Sequence, residues 1–416
     1  MPDTRARIAI SGCGLVSPLG LDAETSWRHL LAGRSGIQLL QNEWAQNLPA
    51  RIAGVLPPGA DETLEPLLRR RLDRCSQLAL LAARQAWLAA EPHVKGVDPT
   101  RIAVVIGTGI GGLASLERQH CNLLDFGAGR VNPLTVPMLI PNAPAAQIAI
   151  DLQLQGGAHT PVSACASGSE ALLLAELLLR DDRADVVLAG GTEAPVNRLG
   201  IAGFAAMRAL SCRNGQPTQA SRPYCLDRDG FVLSEGAGVM VLQRDHDLAP
   251  GGPEPLGWLQ ACGSSSDGFH IAAPEPEGWQ AGRAITDALK RSGLQATDLS
   301  FVQAHATGTP LGDLAEAKAL RRSLGSALDN LPVTAPKSQL GHLLGAAGAV
   351  ETILALRALR EGVVPQSINA APLDPEVDLA VVCDAPLLLP KTGRERYALK
   401  NTFGFGGHNI TLILAG

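Results

Sequence analysis

Aromatic residues are scarce: Phe, Tyr and Trp together make up 3% of the 416 residues. A core of this size must therefore be packed from aliphatic side chains and close backbone approaches. Positive charge is also in deficit, with 35 Lys and Arg against 40 Asp and Glu and a net charge of −5. That balance, with no basic stripe interleaved with aromatics, argues against nucleic acid or an anionic membrane as the partner. The eight cysteines contain no CxxC pair, which excludes a disulfide framework or a structural zinc ribbon and fits a reducing compartment. No apolar run reaches the ~18–20 residues of a membrane span, and the first residues, MPDTRARIAI, lack the apolar core of a signal peptide. A cytoplasmic protein is expected. What is abundant is apolar (46% hydrophobic, 18% charged), the composition of a well-buried globular chain long enough for two packed halves.

Short apolar runs ending in glycine alternate with helical patterns. Residues 7–15, 101–107, 184–190 and 236–243 read as buried strands, and residues 24–32, 75–90 and 169–180 as helices. After a Pro- and Gly-rich break at residues 248–255 the alternation restarts. Strands are expected at 257–263, 299–304 and 409–414, and helices at 278–293, 313–324 and 346–359. Alternation of this kind predicts an α/β fold with mainly parallel sheets. The similar order on either side of the break suggests an internal duplication, with halves 1–252 and 253–416. The run GTGIGG at residues 107–112 follows a strand but misses the Rossmann glycine spacing and its later acidic residue. There is no P-loop.

Cys165 lies in PVSACASGSEALLLAELLLR, at or just before a helix start. Free N–H groups and the helix dipole there can stabilise a thiolate and hold an oxyanion. A buried inert cysteine is the commoner fate, and this segment alone leaves both readings open. His305 ends a strand in VQAHATGTPLGDLAEAK, and Lys337 and His342 flank a turn in APKSQLGHLLGAAGAVE. Two histidines at strand or turn junctions beside glycines point to a site. Neither segment has HxxxH or HxH spacing, so no metal is expected. NTFGFGGHNITLIL, residues 401–414, offers a mobile glycine loop carrying Phe403 and Phe405, or a plain turn between closing strands.

Together VSACASG, RPYCLDRDGFVLSEGAG, HATGTPLGD, KSQLGHLLGAAG and NTFGFGGHN resemble the motifs of the β-ketoacyl-[acyl-carrier-protein] synthases of the thiolase-like superfamily, from about residue 8 to the C-terminus. The resemblance implies a duplicated thiolase-like fold in five layers, αβαβα. It implies Cys165 as the acyl-accepting nucleophile, His305 and His342 as the paired histidines, Lys337 as the active-site lysine and Glu316 as that lysine's acidic partner. Phe405 would gate the site and share an oxyanion hole with the Cys165 N–H. Thr307 and Thr309 would hold the pantetheine arm, and Phe204, Phe403 and Ile110 would contact the acyl chain, with Ile110 dividing a long pocket.

The implied activity is decarboxylative condensation of an acyl group on Cys165 with malonyl-acyl-carrier protein, in fatty acid or polyketide elongation. No cofactor of the protein's own is expected; the substrates ride on 4'-phosphopantetheine. The implied partners are acyl-carrier protein and either a second copy or a chain-length factor. A ketosynthase subunit paired with a chain-length factor is the nearest alternative. A non-catalytic chain-length-factor-like chain is disfavoured, since Cys165, His305, Lys337 and His342 are all present, and a thiolase because NTFGFGGHN lacks the second catalytic cysteine that thiolases carry near the C-terminus. Carrier proteins are acidic, so Arg70, Arg71, Arg74, Arg130, Arg208 and Arg213 are expected to dock one. The sequence departs from the family at HATGT, where HGTST is common, at His408, and at Lys400. Some relatives bind a cation between the counterpart of Glu351 and an oxygen ligand at this last position; here the Lys400 ammonium is expected to fill that hole and pair with Glu351.

Overall fold

The computed structural model describes residues 6–391 and 393–416. Ten strands form its main sheet. Those of the first half are β1 (Ile8–Val16), β2 (Ile102–Gly107), β3 (Ala158–His159), β4 (Val186–Glu193) and β5 (Gly236–Arg244). Those of the second are β6 (Gly257–Ser266), β7 (Leu299–Gln303), β8 (Val333–Thr334), β9 (Tyr397–Gly404) and β10 (His408–Ala415). The helices that matter to the site are α1 (Arg74–Val94), α2 (Leu113–Phe126), α3 (Ala143–Leu152), α4 (Ser167–Arg180), α5 (Arg198–Ala206), α6 (Trp279–Ser292), α7 (Pro310–Leu324) and α8 (Ala347–Glu361).

Their order across the sheet is β8-β7-β9-β10-β6-β1-β5-β4-β2-β3. Within each half, strands therefore lie third, second, fourth, fifth, first from the outer edge inward. The directions repeat too. The second strand runs parallel to the third and fourth, while the fifth is antiparallel to the fourth and first. Strand order and direction thus repeat between the two halves. The sheets are mixed rather than mainly parallel, because the last strand of each half returns antiparallel, a direction that alternation along the chain does not encode. The halves join edge to edge through β1 and β6, with Ile8 opposite Leu259 and Ile10 opposite Gly257.

The sheet closes around α4 and α8, each of which touches strands of both halves. Helices α1 and α3 cover the outer face of the first half; α6 covers the second, with α7 packed on it. The result is five layers, αβαβα. Twelve of the fifteen residues of α8 are buried, as expected of AGAVETILALRALRE, which is apolar nearly all round. The central cluster joins Ile8, Ile10, Leu172, Leu179, Val350, Ile353 and Leu412 across three layers. Separate clusters fill the two outer interfaces. Among the described residues, no helix is long and apolar enough to cross a membrane.

Candidate active site

Cys165 sits in a one-turn helix, Ala164–Ala166, that runs into α4. Ala164 takes the left-handed φ of 51°, an unfavourable conformation for a residue with a side chain and one often found at functional turns. The turn is held by Ser167, whose Oγ donates to the Ala164 carbonyl (2.7 Å) and accepts from the Ser163 N–H (3.0 Å). Burial pushes the Cys165 thiol up to about 12; Glu193 adds to the rise, whereas Lys337 and the N–H groups of Phe405 and Cys165 oppose it. The expected thiolate at a helix start is therefore not the resting state, because loss of water outweighs the dipole and its donors. Those two N–H groups nonetheless favour the ionised sulfur. They belong to the Cys165 turn and to the β9–β10 hairpin, whose approach requires Gly404: a Cβ there would lie 2.5 Å from the Ser163 carbonyl oxygen.

His305 follows β7, and its backbone is fixed by Glu316 on α7. The Glu316 carboxylate accepts from the N–H groups of His305 (2.8 Å) and Ala306 (2.7 Å), from Asn401 Nδ2 (3.1 Å) and from the Tyr224 hydroxyl (3.3 Å). It is thus not the partner of Lys337. That role falls to Glu351 on α8, whose Oε1 is 2.5 Å from Lys337 Nζ. Glu316 is saturated by four donors, two of them the backbone it must hold, and so has no capacity left for the lysine. Lys337 Nζ also stands 3.4 Å from His305 Nδ1. An ammonium can only donate, which leaves the His305 proton on Nε2.

His342 reaches the site from the turn before α8, its ring edge-on to His305 with centroids 5.4 Å apart. Burial, then Lys337, hold both imidazoles well below their ordinary 6.5, so both are neutral. The buried His342 Nδ1 has no hydrogen-bond partner, as is common where a site is completed by a substrate.

Lys400, fully buried on β9, lies 3.3 Å from Glu351 Oε2 and donates to the Thr402 and Ser169 hydroxyls. The expected pair with Glu351 is formed. Its unforeseen feature is that Glu351 serves Lys337 and Lys400 together. These are ionic contacts, for neither carboxylate oxygen makes a well-directed hydrogen bond. Burial lowers Lys400 to about 8 although Glu351 pulls the other way.

Cys165, His305 and His342 open into one cavity of about 450 Å³ that also contains Phe204, Phe231, Phe403 and Phe405. Thr307 and Thr309 line it as well, their hydroxyls 3.1 Å apart. Thr309 caps α7 by accepting from the Gly312 N–H, and one proton of the two threonine hydroxyls is shared between them. Ile110 does not line this cavity and is 36% exposed. Arg208 stands at the cavity wall, whereas Arg71 lines a different one. Arg70, Arg71, Arg130 and Arg208 are exposed. Arg74 is bound to Glu235 (2.6 Å), and Arg213 to Asp227 (2.9 Å) and Asp229 (3.6 Å), so these two are committed within the fold. Sequence reasoning did not find Phe231, edge-on to His342 at 5.2 Å, or the placement of Glu193 beside the nucleophile turn.

The family described as "Beta-ketoacyl synthase, N-terminal domain" matches residues 5–247, and "Beta-ketoacyl synthase, C-terminal domain" matches residues 256–371. The 3-oxoacyl-[acyl-carrier-protein] synthase 2 of Mycobacterium tuberculosis (strain ATCC 25618 / H37Rv) is 40% identical over 410 residues, 97% of this chain and 96% of that one. The protein of the same name from Staphylococcus aureus (strain N315) is 38% identical over 408 residues, 98% and 97% of the two chains. Among solved structures, a type II polyketide ketosynthase, in complex with its acyl-carrier protein and bound to the hexaketide, superposes with a TM-score of 0.90 at 26% identity, covering 100% of this chain and 99% of that one. The ishigamide ketosynthase/chain length factor gives 0.90 at 27%, with 99% of each chain covered.

Proposed function

The chain belongs to the beta-ketoacyl synthase family, and from that premise we propose how its residues carry out the condensation of an acyl group with malonyl-acyl-carrier protein to a 3-oxoacyl product. The supporting observation is that one buried thiol and two neutral imidazoles share a cavity walled by four phenylalanines. In the first half-reaction the Cys165 sulfur forms a bond to the carbonyl carbon of an acyl thioester on the carrier protein. The pantetheine sulfur departs and takes up the proton that the thiol gives up. The N–H groups of Cys165 and Phe405 hold the oxyanion that forms meanwhile. Apolar walls suit an acyl chain, and the Thr307 and Thr309 hydroxyls are placed to bond the amides of the pantetheine arm.

In the second half-reaction a malonyl thioester takes the same arm. His305 and His342, both neutral, donate to its thioester oxygen as the carboxylate leaves as carbon dioxide. The electron pair of the broken carbon–carbon bond becomes an enolate, which attacks the acyl carbon on Cys165. A new carbon–carbon bond forms and the cysteine sulfur is released as a thiolate, which takes up a proton from solvent to restore the thiol. Lys337 keeps His305 in the donating tautomer. No step changes the net oxidation state, so none calls for a redox cofactor.

Relatives at 38–40% identity named 3-oxoacyl-[acyl-carrier-protein] synthase 2 favour fatty acid elongation. A polyketide role beside a chain-length factor is the second reading, favoured by the near-complete superposition on the two polyketide-type ketosynthases. Eight free cysteines support a cytoplasmic setting. The test is mass spectrometry of the purified chain with acyl- and malonyl-carrier protein. An acyl adduct on Cys165 and a product longer by two carbons are expected. Product formation by Cys165→Ala would overturn the reading.

A further inference from the structure

Behind the nucleophile turn lies a carboxylate that the reaction above does not use. Glu193 ends β4 and is 1% exposed. Its Oε1 accepts from Thr108 Oγ1 (2.9 Å) and the Ile110 N–H (3.2 Å); its Oε2 accepts from the N–H groups of Gly109 (2.6 Å) and Gly345 (3.0 Å). All four partners are uncharged. Three belong to the loop after β2, in the first half of the molecule. The fourth belongs to the one-turn helix Leu344–Ala346 that precedes α8, in the second half. Both glycines are required, since a Cβ on Gly109 would come within 2.9 Å of Oε2 and one on Gly345 within 2.7 Å. The loop so held rests on the cysteine turn: the Ser167 hydroxyl, which donates to the Ala164 carbonyl, shares that proton with the Thr108 carbonyl (3.2 Å), and a Cβ on Gly109 would be 3.3 Å from the Ala164 oxygen.

We propose that Glu193 is a positioning residue, its ionised carboxylate locking the Thr108–Ile110 loop to the Gly345 turn so that the two press the Cys165 turn into its reactive place. The ionised form follows from the donors. Three of the four are backbone N–H groups, so a carboxyl proton would face donors rather than an acceptor. Burial nonetheless pushes the Glu193 carboxyl above its ordinary value. The charge has a second consequence, for it opposes ionisation of Cys165. The other charged and titratable groups facing the thiol are Lys337, His305 and His342, and Cys75 lies behind Thr108, 3.6 Å from its hydroxyl.

The proposal rests on Cys165 being the acyl acceptor, and two readouts separate its failure from the failure of that assignment. One is acylation of the intact enzyme by acyl-carrier protein. The other is the pH profile of iodoacetamide alkylation, followed on the Cys165 peptide, which requires no acyl chemistry. In Glu193→Gln one end of the side chain turns from acceptor to donor against N–H groups. Acylation should slow about tenfold or more, as for loss of a hydrogen bond to a charged group, at an unchanged Michaelis constant for the carrier. The alkylation profile should move to lower pH. Glu193→Asp keeps the charge but withdraws the carboxylate, so acylation should slow while the alkylation profile stays. Wild-type values for Glu193→Gln in both assays would overturn the proposal. So would a lowered melting temperature with an unmoved alkylation profile, the mark of a purely structural role. Should Glu193→Gln fail to fold, Thr108→Val removes one donor and keeps the charge; unaltered acylation in that variant would equally overturn it.

Discussion

A thiol held near 12 reacts through the small fraction that has lost its proton. Alkylation of Cys165 should therefore rise about tenfold per pH unit from 7 to 10 with no plateau; a plateau near 9 would mean an unperturbed thiol. The histidines carry the opposite dependence. Both are depressed well below 6.5 in the fold, so below 6.5 the unfolded chain binds protons that the folded chain does not. Stability from this source is complete above 6.5 and falls as pH drops, by up to about 1.4 kcal/mol per unit for each histidine. Denaturant titrations of the wild type against His305→Gln should show a shallower acid limb in the variant; parallel limbs would contradict buried neutral imidazoles. Lys400 is a third case. With Lys337 it shares Glu351, and Glu316 lies within electrostatic reach of it. Lys400→Met strips one cation from this buried group. It should cost about 3–5 kcal/mol, the range for breaking a buried pair, read as a fall in unfolding free energy. A loss below about 1 kcal/mol would mean that Lys337 alone satisfies Glu351.

Elements built on one strong signal were legible beforehand. The IAVVIG strand, the α8 pattern and the helix after Cys165 are long apolar runs bounded by glycine, and they stand within a few residues of where periodicity puts them. Helices α2, α3 and α5 were not foreseen. Helix α2 leaves Leu116, Leu123, Leu124 and Phe126 exposed, so its apolar residues do not mark a single buried face. Strand β9 was obscured because NTFGFGG reads as loop, whereas Tyr397–Gly404 pairs with β10 along its whole length and residues 397–400 pair with β7 as well. At the site, Cys165, His305, His342 and Lys337 were visible through their motifs. The Lys400–Glu351 pair was visible too, but the acid that meets Lys337 was not, because that depends on how α7 and α8 lie across the site rather than on spacing along the chain. The β9–β10 hairpin supplies a prediction at this scale. Gly404→Ala would drive a methyl to 2.5 Å from the Ser163 oxygen and 3.2 Å from the Cys165 nitrogen. A shift of about 1 Å at a reacting centre can cost on the order of a hundredfold in rate. Acylation of Gly404→Ala should fall by about that factor, and wild-type acylation would show that the hairpin can retreat without loss.

Across the whole molecule, duplication explains why the site lies where it does. In each half a one-turn helix with one residue at positive φ, Ala164 at 51° and Leu344 at 45°, leads into the central helix. The one leading to α4 carries Cys165; its counterpart before α8 carries Gly345, three residues after His342. Folding the two half-sheets over one another brings these starts together, so the Cys165 thiol and the imidazoles meet at the seam, drawn from both halves. The seam opens to solvent on a chain of net charge −5, a poor match for an acidic carrier protein unless local charge reverses the sign. Arg208 can do so: it is exposed, lies at the cavity wall and, at a φ of 56°, is held by the backbone N–H bond from Arg208 to Ala205. Complementary charge at such a mouth acts mainly on encounter and fades with salt. Arg208→Glu should raise the Michaelis constant for acyl-carrier protein about tenfold at low ionic strength, and the difference from wild type should shrink toward 0.5 M salt. Its turnover number should be unchanged, since Arg208 is exposed at the cavity wall and has no hydrogen bond or ion pair to Cys165, His305 or His342. Arg213→Glu serves as the contrast, because Arg213 is already tied to Asp227 and Asp229; its reversal should lower the melting temperature rather than act on carrier encounter alone. Equal, salt-independent effects of the two reversals on the Michaelis constant would place the carrier's docking charge elsewhere on the surface.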